Sequence, residues 1–168
     1  MNKQEVYDYL KAHNIAYEVT EHEAVFHMGE FGGVELLYPE WDAKNLFVRD
    51  DKKRNYYLIT VRGDKRVDLK AFRKQEGLRN LSFGSSDELM EYLKIAPGSV
   101  SPFGLLNDPE HRVIFYIDEE FAGNKLGIHP NENTATVWIK TDDLINLLKE
   151  HGNEVHVAKL CERENAGE

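Results

Sequence analysis

Residues 96–108, APGSVSPFGLLND, combine residue types that could hold a reactive carbonyl group. Glycine lets backbone N–H groups approach a ligand closely, and proline fixes the direction of the chain. The spacing Gly98-x-x-x-Pro102 could therefore present backbone donors to a carbonyl or carboxylate oxygen, as an oxyanion hole does. Composition alone favours the plainer alternative, an ordinary connection between a helix and a strand.

Two further residues are of a type that binds or transfers charge. Lys44 begins a predicted strand, and its three donors and positive charge could hold a phosphate or a developing oxyanion. The alternative is a lysine that extends along the surface to solvent, which is the commoner case at strand starts. His129 lies in GIHPNENTATV (127–137), where it could donate, accept or titrate near neutrality, or be a turn histidine without a role.

Other kinds of site find little support in the sequence. Cys161 is the single cysteine and lies near the end of the chain, and Ser99 and Ser101 are not in a GxSxG motif. The seven histidines are scattered without metal-ligand spacing, so we expect no metal. No Walker A motif and no GxGxxG motif occurs, so we expect no nucleotide cofactor.

The elements that must position these residues follow a mixed pattern of helical and strand periodicity. The pattern predicts a single α+β domain with a central mixed, largely antiparallel sheet flanked by helices. We assign residues 1–161 to this domain and residues 162–168 to a flexible tail. Residues 29–43 are predicted to be a loop with one helical turn. The predicted helices are 3–12, 68–77, 85–95 and 141–152, and the predicted strands are 15–22, 24–28, 45–50, 56–63, 113–121, 134–140 and 154–160.

Length and charge limit the classes of protein that need to be considered. A chain of 168 residues with one cysteine is typical of a single domain in a reducing compartment, and we expect a cytoplasmic protein without a membrane span. The net charge of −9 argues against broad affinity for nucleic acid. Residues 44–79, however, hold 12 Lys and Arg against 5 Asp and Glu, which predicts either one basic face or an ordinary solvated surface.

Three segments together resemble a known family. KNLFVRD (44–50), PGSVSPFGLLND (97–108) and HPNENTATV (129–137) are similar, in order and approximate spacing, to motifs of the YbaK/prolyl-tRNA synthetase editing-domain superfamily. The resemblance is strongest to its free-standing ProX/PrdX-like branch of prolyl-tRNA editing proteins. It covers most of the chain, from the first helix to EVHVAKL (154–160).

The resemblance implies roles for individual residues. Lys44 corresponds to the family's essential lysine, and the Gly98–Pro102 loop to the segment that meets the aminoacyl carbonyl. It implies hydrolysis without a metal, a cofactor or a covalent enzyme intermediate. The substrate-binding residues that it implies are Gly98, Ser99, Val100, Ser101, Pro102, Phe103, Gly104, His129, Pro130, Asn133 and Thr134.

The implied substrate is mischarged tRNA(Pro), most of all Ala-tRNA(Pro), bound by its CCA end and acceptor stem. Cys- and Ser-tRNA stay open, because FHMGEFGGVELLYPEWDA (26–43) departs from the family pattern and could line the amino-acid pocket. A non-catalytic protein that senses an amino acid or aminoacyl-tRNA is the alternative. Transient association with prolyl-tRNA synthetase is also implied. The predicted tRNA-binding residues are Lys52, Lys53, Arg54, Arg62, Lys65 and Arg66.

Overall fold

Four helices and eight strands make up the part of the chain that the structure describes. A computed structural model describes residues 1–23 and 36–163. Short 3-10 helices cover Pro39–Trp41, Pro102–Asn107 and Glu119–Phe121. The helices are α1 (Lys3–Ala12), α2 (Leu69–Glu76), α3 (Ser86–Leu93) and α4 (Thr141–His151). The strands are β1 (Tyr17–Glu21), β2 (Ala43–Asp50), β3 (Tyr56–Arg62), β4 (Leu81–Phe83), β5 (Val113–Asp118), β6 (Lys125–Ile128), β7 (Ala135–Lys140) and β8 (Val155–Ala158).

The strands form two sheets. A three-stranded antiparallel sheet has the order β1-β7-β6, and a five-stranded sheet has the order β4-β2-β3-β5-β8. In the larger sheet β2 is antiparallel to β3 and β4, whereas β5 is parallel to β3 and β8. A bridge between Asp42 and Gly127 connects the two sheets at the start of β2. The predicted α+β class with mixed strand directions is confirmed, but the strands divide between two sheets instead of forming one.

Local sequence explains where the helices begin and end. At the start of α3 the Ser85 hydroxyl accepts from the Glu88 N–H, and the Glu88 carboxylate accepts from the Ser85 N–H, as the capping-box pattern predicts. The Asp68 side chain accepts from the backbone at the start of α2, and Gly77 ends that helix in the left-handed region. These predicted caps are therefore confirmed.

Several predicted boundaries differ from the structure. The strand predicted over 113–121 ends at Asp118, where the chain turns into a 3-10 helix. The strands β4 and β6 were not predicted, because three and four residues are too few to show a period. The predicted strand 24–28 lies outside the described residues, as do residues 164–168 of the predicted tail. Glu162 still pairs with Val67 in an isolated bridge.

The two sides of the larger sheet face different apolar clusters, and this separation positions the site. Phe47 on β2 packs in the main core with residues such as Leu58 and Phe115. Its neighbour Val48 points to the other side, into a smaller cluster that includes Phe72 of α2. Because side chains alternate along a strand, each residue at the start of β2 faces one cluster or the other. None of the helices within 1–23 and 36–163 has the length and apolar character of a membrane span.

Candidate active site

The loop predicted to bind a carbonyl forms a tight turn that leads into a 3-10 helix. Gly98 has a φ of 87°, in the region that favours glycine, and the Ser99 N–H donates to the Ala96 carbonyl over 3.1 Å. The Ser101 hydroxyl accepts from the Phe103 N–H at 3.2 Å and so caps the helix Pro102–Asn107. These bonds hold the backbone of 98–101 in one conformation.

Two backbone donors in this loop are available to a ligand. The N–H groups of Gly98 and Val100 meet no acceptor within residues 1–23 and 36–163, and both residues are only half-buried. A pair of fixed N–H groups suits a developing oxyanion. Ser101, Phe103 and Gly104 are fully buried, so the structure places these predicted ligand-contact residues in the support beneath the loop.

Asn45 connects β2 to this loop. Its Nδ2 donates to the Val100 carbonyl over 3.2 Å, while its Oδ1 accepts from the Thr60 hydroxyl at 2.5 Å. The bond from Thr60 orients the amide so that its donor points toward the loop. Asn45 was not among the predicted site residues, although it directly follows Lys44 in KNLF.

Lys44 faces away from that loop. It pairs with Val61 on β3, and strand alternation places both side chains on the side of the smaller cluster. Partial burial lowers the pKa of Lys44; the nearby Asp64 carboxylate opposes the effect and the Arg66 guanidinium adds to it. The structure therefore brings Asn45, not the Lys44 side chain, against residues 98–102.

His129 is held in one tautomer beside β7. Its Nδ1 contacts the Ala135 carbonyl at 2.9 Å, and because a carbonyl only accepts, Nδ1 must carry the hydrogen. In the neutral ring Nε2 is then an acceptor. Burial lowers the pKa of His129, the bond to Ala135 partly opposes this shift, and the ring of His22 lies 6.1 Å away.

Asn131 joins the histidine loop to the 98–104 loop. Its Nδ2 donates to the Phe103 carbonyl at 3.4 Å and to the Met1 carbonyl at 3.2 Å. Its φ of 63° is one that asparagine tolerates better than most residues. Its buried Oδ1 has no partner among the described residues. The position was not predicted, because the HPNENT pattern does not reveal which asparagine turns inward.

The other predicted residues of this segment lie nearby and make contacts with the first helix and strand. The Thr134 hydroxyl accepts from Lys3 Nζ over 3.2 Å, and the Thr134 carbonyl accepts from the His22 N–H over 3.0 Å. Pro130 is buried and Asn133 is half-buried. The segment is therefore anchored to α1 and β1 as well as to the 98–104 loop.

A shallow pocket opens where the loop meets the edge of β2. It has a volume of about 210 Å³, and its lining includes Asn45, Phe83, Gly98 and Val100. The described pairing of β4 with β2 covers only Val48–Asp50, and the Gly84 N–H then donates to the Phe47 carbonyl at 2.9 Å. In an antiparallel ladder, the backbone N–H and C=O groups of successive residues point to opposite neighbouring strands. The Phe47 carbonyl points toward the β4 side, so the backbone groups of Asn45, two residues earlier, point to the same edge and toward this pocket.

Comparison with known proteins decides the family. Residues 37–147 match the model of the aminoacyl-tRNA editing domain. The chain is 37% identical over 159 residues to the prolyl-tRNA editing protein ProX of Acetoanaerobium sticklandii, covering 94% of this chain and 97% of that protein. The chain belongs to the aminoacyl-tRNA editing domain family. The family predicted from the three motifs is thus confirmed.

Further relatives of this editing-domain protein extend to vertebrates and to solved structures. It is 33% identical over 145 residues to prolyl-tRNA synthetase associated domain-containing protein 1 of Mus musculus, covering 83% of this chain and 85% of that protein. A crystal structure described as a candidate trans-editing enzyme for prolyl-tRNA synthetase superposes with a TM-score of 0.69 at 24% identity, over 96% of this chain and 97% of that one. This last likeness supports the fold.

The predicted tRNA-binding residues fall into two groups. Lys52, Lys53 and Arg54 are exposed in the turn between β2 and β3, and within the described residues none forms an ion pair. Lys65 is buried, and its Nζ lies 2.6 Å from Asp118 and 2.8 Å from Glu120. Because these carboxylates neutralise its charge, Lys65 does not belong to the basic surface on which it was predicted.

Arg62 and Arg66 lie beyond this turn. The Arg62 guanidinium pairs with Asp64 at 3.3 Å and with Glu120 at 3.4 Å, and the Arg66 side chain is exposed. Across residues 1–23 and 36–163, no three His, Cys, Asp or Glu side chains are grouped as metal ligands would be. The predicted absence of a metal stays a prediction.

Proposed function

We propose that this editing-domain protein hydrolyses the ester bond of mischarged tRNA(Pro), with Ala-tRNA(Pro) as its main substrate. The family match and the ProX relative confirm the enzyme class, an aminoacyl-tRNA deacylase. The observation that best supports the proposal is that two side-chain bonds, Asn45 to Val100 and Asn131 to Phe103, tie the first and third motif segments to the second one, 97–108. An alanine-sized pocket would exclude the bulkier proline and spare the correct product.

The Gly98–Pro102 loop is proposed to receive the ester carbonyl. The free N–H groups of Gly98 and Val100 would stabilise the negative charge that develops on its oxygen. One preorganised donor of this kind is typically worth about 3 kcal/mol of barrier. Because aminoacyl esters are already reactive, two such donors and a positioned water would supply much of the required acceleration.

The reaction adds water across the ester bond. The water oxygen bonds to the carbonyl carbon, the bond from that carbon to the ribose oxygen breaks, and a proton moves to the ribose oxygen. The vicinal hydroxyl of the terminal ribose helps to position or activate the water. The neutral His129, with Nε2 as an acceptor, is proposed to hold a hydroxyl or water hydrogen in this arrangement.

Lys44 is proposed to bind a phosphate of the terminal nucleotide. Its place on the opposite face from the loop separates it from the carbonyl, and its ammonium is close enough to Arg66 for the two charges to interact. An anion between these cations would restore the pKa of Lys44 toward its ordinary value. The role at the reacting centre, which the sequence left open, is the less favoured one.

The remaining partners follow from the substrate. The acceptor stem would lie on the exposed turn at Lys52–Arg54, where contacts with phosphates position the tRNA without reading its bases. Transient association with prolyl-tRNA synthetase and a cytoplasmic location are part of the proposal, since both are implied by the substrate.

Deacylation of Ala-, Cys-, Ser- and Pro-tRNA(Pro) by the purified protein tests the function. We expect rapid release of alanine, slower or no release of cysteine and serine, and no release of proline. Hydrolysis of none of the four, together with saturable binding, would instead indicate a sensor of charged tRNA and overturn the proposal.

The variant Lys44→Ala tests the lysine. We expect deacylation to fall by at least 100-fold, about 2.7 kcal/mol, while the thermal midpoint stays within a few degrees of wild type. Lys11→Ala, a change at an exposed lysine of α1, is the matched control and should keep full activity. Near-normal activity of Lys44→Ala would contradict the assignment.

A further inference from the structure

Phe83 is an exposed aromatic side chain beside the proposed carbonyl-binding loop. Its relative exposure is 61%, the highest among the exposed large hydrophobic residues within 1–23 and 36–163, and it lines the same pocket as Gly98 and Val100. It is the last residue of β4, at the edge of the larger sheet, where it pairs with Val48. No described interaction explains why an aromatic ring of this size is exposed there.

The face of the sheet that Phe83 occupies continues into a basic groove. Leu81 lies two residues before Phe83 and so points to the same side, toward the cluster that contains Phe72 of α2. Between β4 and α2 lies a groove of about 250 Å³ lined by Leu69, Lys70, Arg73, Asn80 and Leu81. Within the described residues, neither Lys70 nor Arg73 forms an ion pair.

We propose that β4 and this groove bind the single-stranded 3′ end of the tRNA. The base of the terminal nucleotide stacks on Phe83, and a preceding phosphate lies between Lys70 and Arg73. The combination of an exposed aromatic ring and a basic groove is the usual arrangement for holding single-stranded nucleic acid. The inference deepens the proposed function and depends on it for the identity of the ligand.

The chemistry of the ester explains why the terminal base belongs at Phe83. The amino acid is linked to the ribose of the last nucleoside, so that base must lie within one ribose of the carbonyl. Phe83 borders the pocket at Gly98 and Val100, whereas the other exposed large hydrophobic residues of the described chain do not line it, namely Leu37, Met90 and Val157. An aromatic face next to that position would stack the base regardless of its identity.

The test uses the full chain and uncharged tRNA(Pro) whose terminal adenosine is replaced by 2-aminopurine. Stacking on an aromatic ring quenches the fluorescence of this base, so wild-type protein should quench it saturably. Phe83→Ala should abolish the quenching and raise the KM for Ala-tRNA(Pro) at least five-fold with little change in kcat. Phe83→Tyr should retain both properties, because it keeps the ring.

Controls separate this inference from the others. Val157→Ala, at the opposite edge of the same sheet, should behave as wild type. Wild-type quenching and KM in Phe83→Ala would overturn the inference while leaving the deacylase intact, as would equal loss in Phe83→Tyr. A concentration-dependent dimer that Phe83→Ala abolishes would assign the ring to a second copy and also overturn it. Quenching by a wild-type protein that hydrolyses no mischarged tRNA would sustain the base-stacking site and reject the deacylase.

Discussion

Adjacent residues at the start of β2 point to opposite sides of one sheet. Asn45 contacts the loop that carries the free N–H donors, and Lys44 lies on the side of Phe83, Leu81 and α2. One strand can therefore hold the reacting ester on one side and the nucleotide on the other. This separation supports the proposal that Asn45 sets the geometry of the loop and that Lys44 binds a phosphate.

Asn45→Asp is expected to impair catalysis more than binding. An aspartate keeps the size of the side chain and can accept from Thr60, but it cannot donate to the Val100 carbonyl. The loss of one bond costs about 1 kcal/mol, yet a loop displaced by about 1 Å could cost up to 100-fold in rate. Single-turnover deacylation should show a rate constant lowered ten-fold or more with a nearly unchanged KM.

Thr60→Val is the matched control for that change. It removes the other bond of Asn45 while keeping the shape of the buried side chain, so the bond to Val100 survives. We expect a smaller rate loss than in Asn45→Asp. Equal losses in the two variants would mean that the Asn45 amide donates to Val100 only when the Thr60 hydroxyl orients it.

Asp42 makes stability depend on pH. Burial raises its pKa to about 7, and no described donor contacts its carboxylate. The folded state thus holds a proton that the unfolded chain releases near pH 3.8, so stability falls as the pH rises from about 4 to about 7. Asp42→Asn should remove this loss of stability. Its free energy of unfolding minus that of wild type should be larger at pH 8 than at pH 4 by at most about 4 kcal/mol.

Urea unfolding at several pH values between 4 and 8 measures this effect. The difference in unfolding free energy between Asp42→Asn and wild type should grow with pH and level off above pH 7. A difference that stays constant between pH 4 and pH 8 would show that Asp42 ionises without cost in the folded protein.

Residue types were easier to predict than residue surroundings. Lys44 could be placed at the start of a strand from KNLF, because the apolar run and the flanking polar residues mark the boundary. Which side of that strand meets the 98–104 loop depends on tertiary packing, so Asn45 was missed. Lys65 was placed on a basic surface, but its partner Asp118 is 53 residues away and no local pattern reveals such a pair.

At the scale of elements, the 3-10 helix Pro102–Asn107 holds the proposed carbonyl-binding loop against the end of α3. Gly104 lies at the closest point, where an added Cβ would come within 2.8 Å of Ile95 Cδ1 and 3.4 Å of Leu93 Cβ. The Asn107 side chain also donates to the Leu93 carbonyl at 2.8 Å. The position of the loop therefore depends on how tightly these two elements pack.

Gly104→Ala is expected to destabilise the protein by about 1–3 kcal/mol, because it overpacks this contact. Deacylation should fall at the same time, since the 3-10 helix would move the N–H groups of residues 98–100. Ile95→Val removes the Cδ1 atom that lies nearest to the added methyl group. Combined with Gly104→Ala it should restore part of both stability and activity, measured by thermal unfolding and single-turnover rates.

The double-mutant cycle decides whether the contact is specific. A favourable coupling of 0.5 kcal/mol or more between the two positions is expected for neighbours in contact. Strictly additive effects would mean that Gly104 is required for backbone reasons that Ile95 does not share.

Strands with clear periodicity and helices with caps were predicted, but the two-sheet arrangement was not. The hairpin of β2 and β3 follows from two apolar runs around DKKRN, and α3 from its capping box. The parallel pairing of β3 with β5 joins residues 57 positions apart, as in Tyr56 with Val113, and nothing local specifies it. Short edge strands such as β4 form only because a neighbour offers free backbone groups.

At the scale of the whole molecule, charge is divided unevenly. Residues 44–79 carry a net +7 while the rest of the chain carries −16, so the total of −9 hides a basic region. Within that region, the structure shows Lys65 and Arg62 paired with carboxylates, and the Arg79 guanidinium paired with Asp51 at 2.6 Å. The turn at Lys52–Arg54 and the groove at Lys70 and Arg73 are left to meet an anionic partner.

Salt and charge reversal test whether this basic region meets tRNA. Raising monovalent salt from about 50 to 200 mM should raise the KM for Ala-tRNA(Pro), because phosphate contacts release counterions that salt disfavours. The double change Lys52→Glu and Lys53→Glu should raise the KM at low salt. It should also lower the slope of log KM against log salt concentration by about one for each lysine, because each loses one phosphate contact. Reversal of two exposed lysines elsewhere, Lys11 and Lys140, controls for net charge and should leave the salt dependence unchanged. If neither salt nor the reversals at Lys52 and Lys53 change the KM, the turn is solvated surface that does not contact tRNA. If reversal of Lys11 and Lys140 has the same effect, the KM depends only on the total charge of the protein.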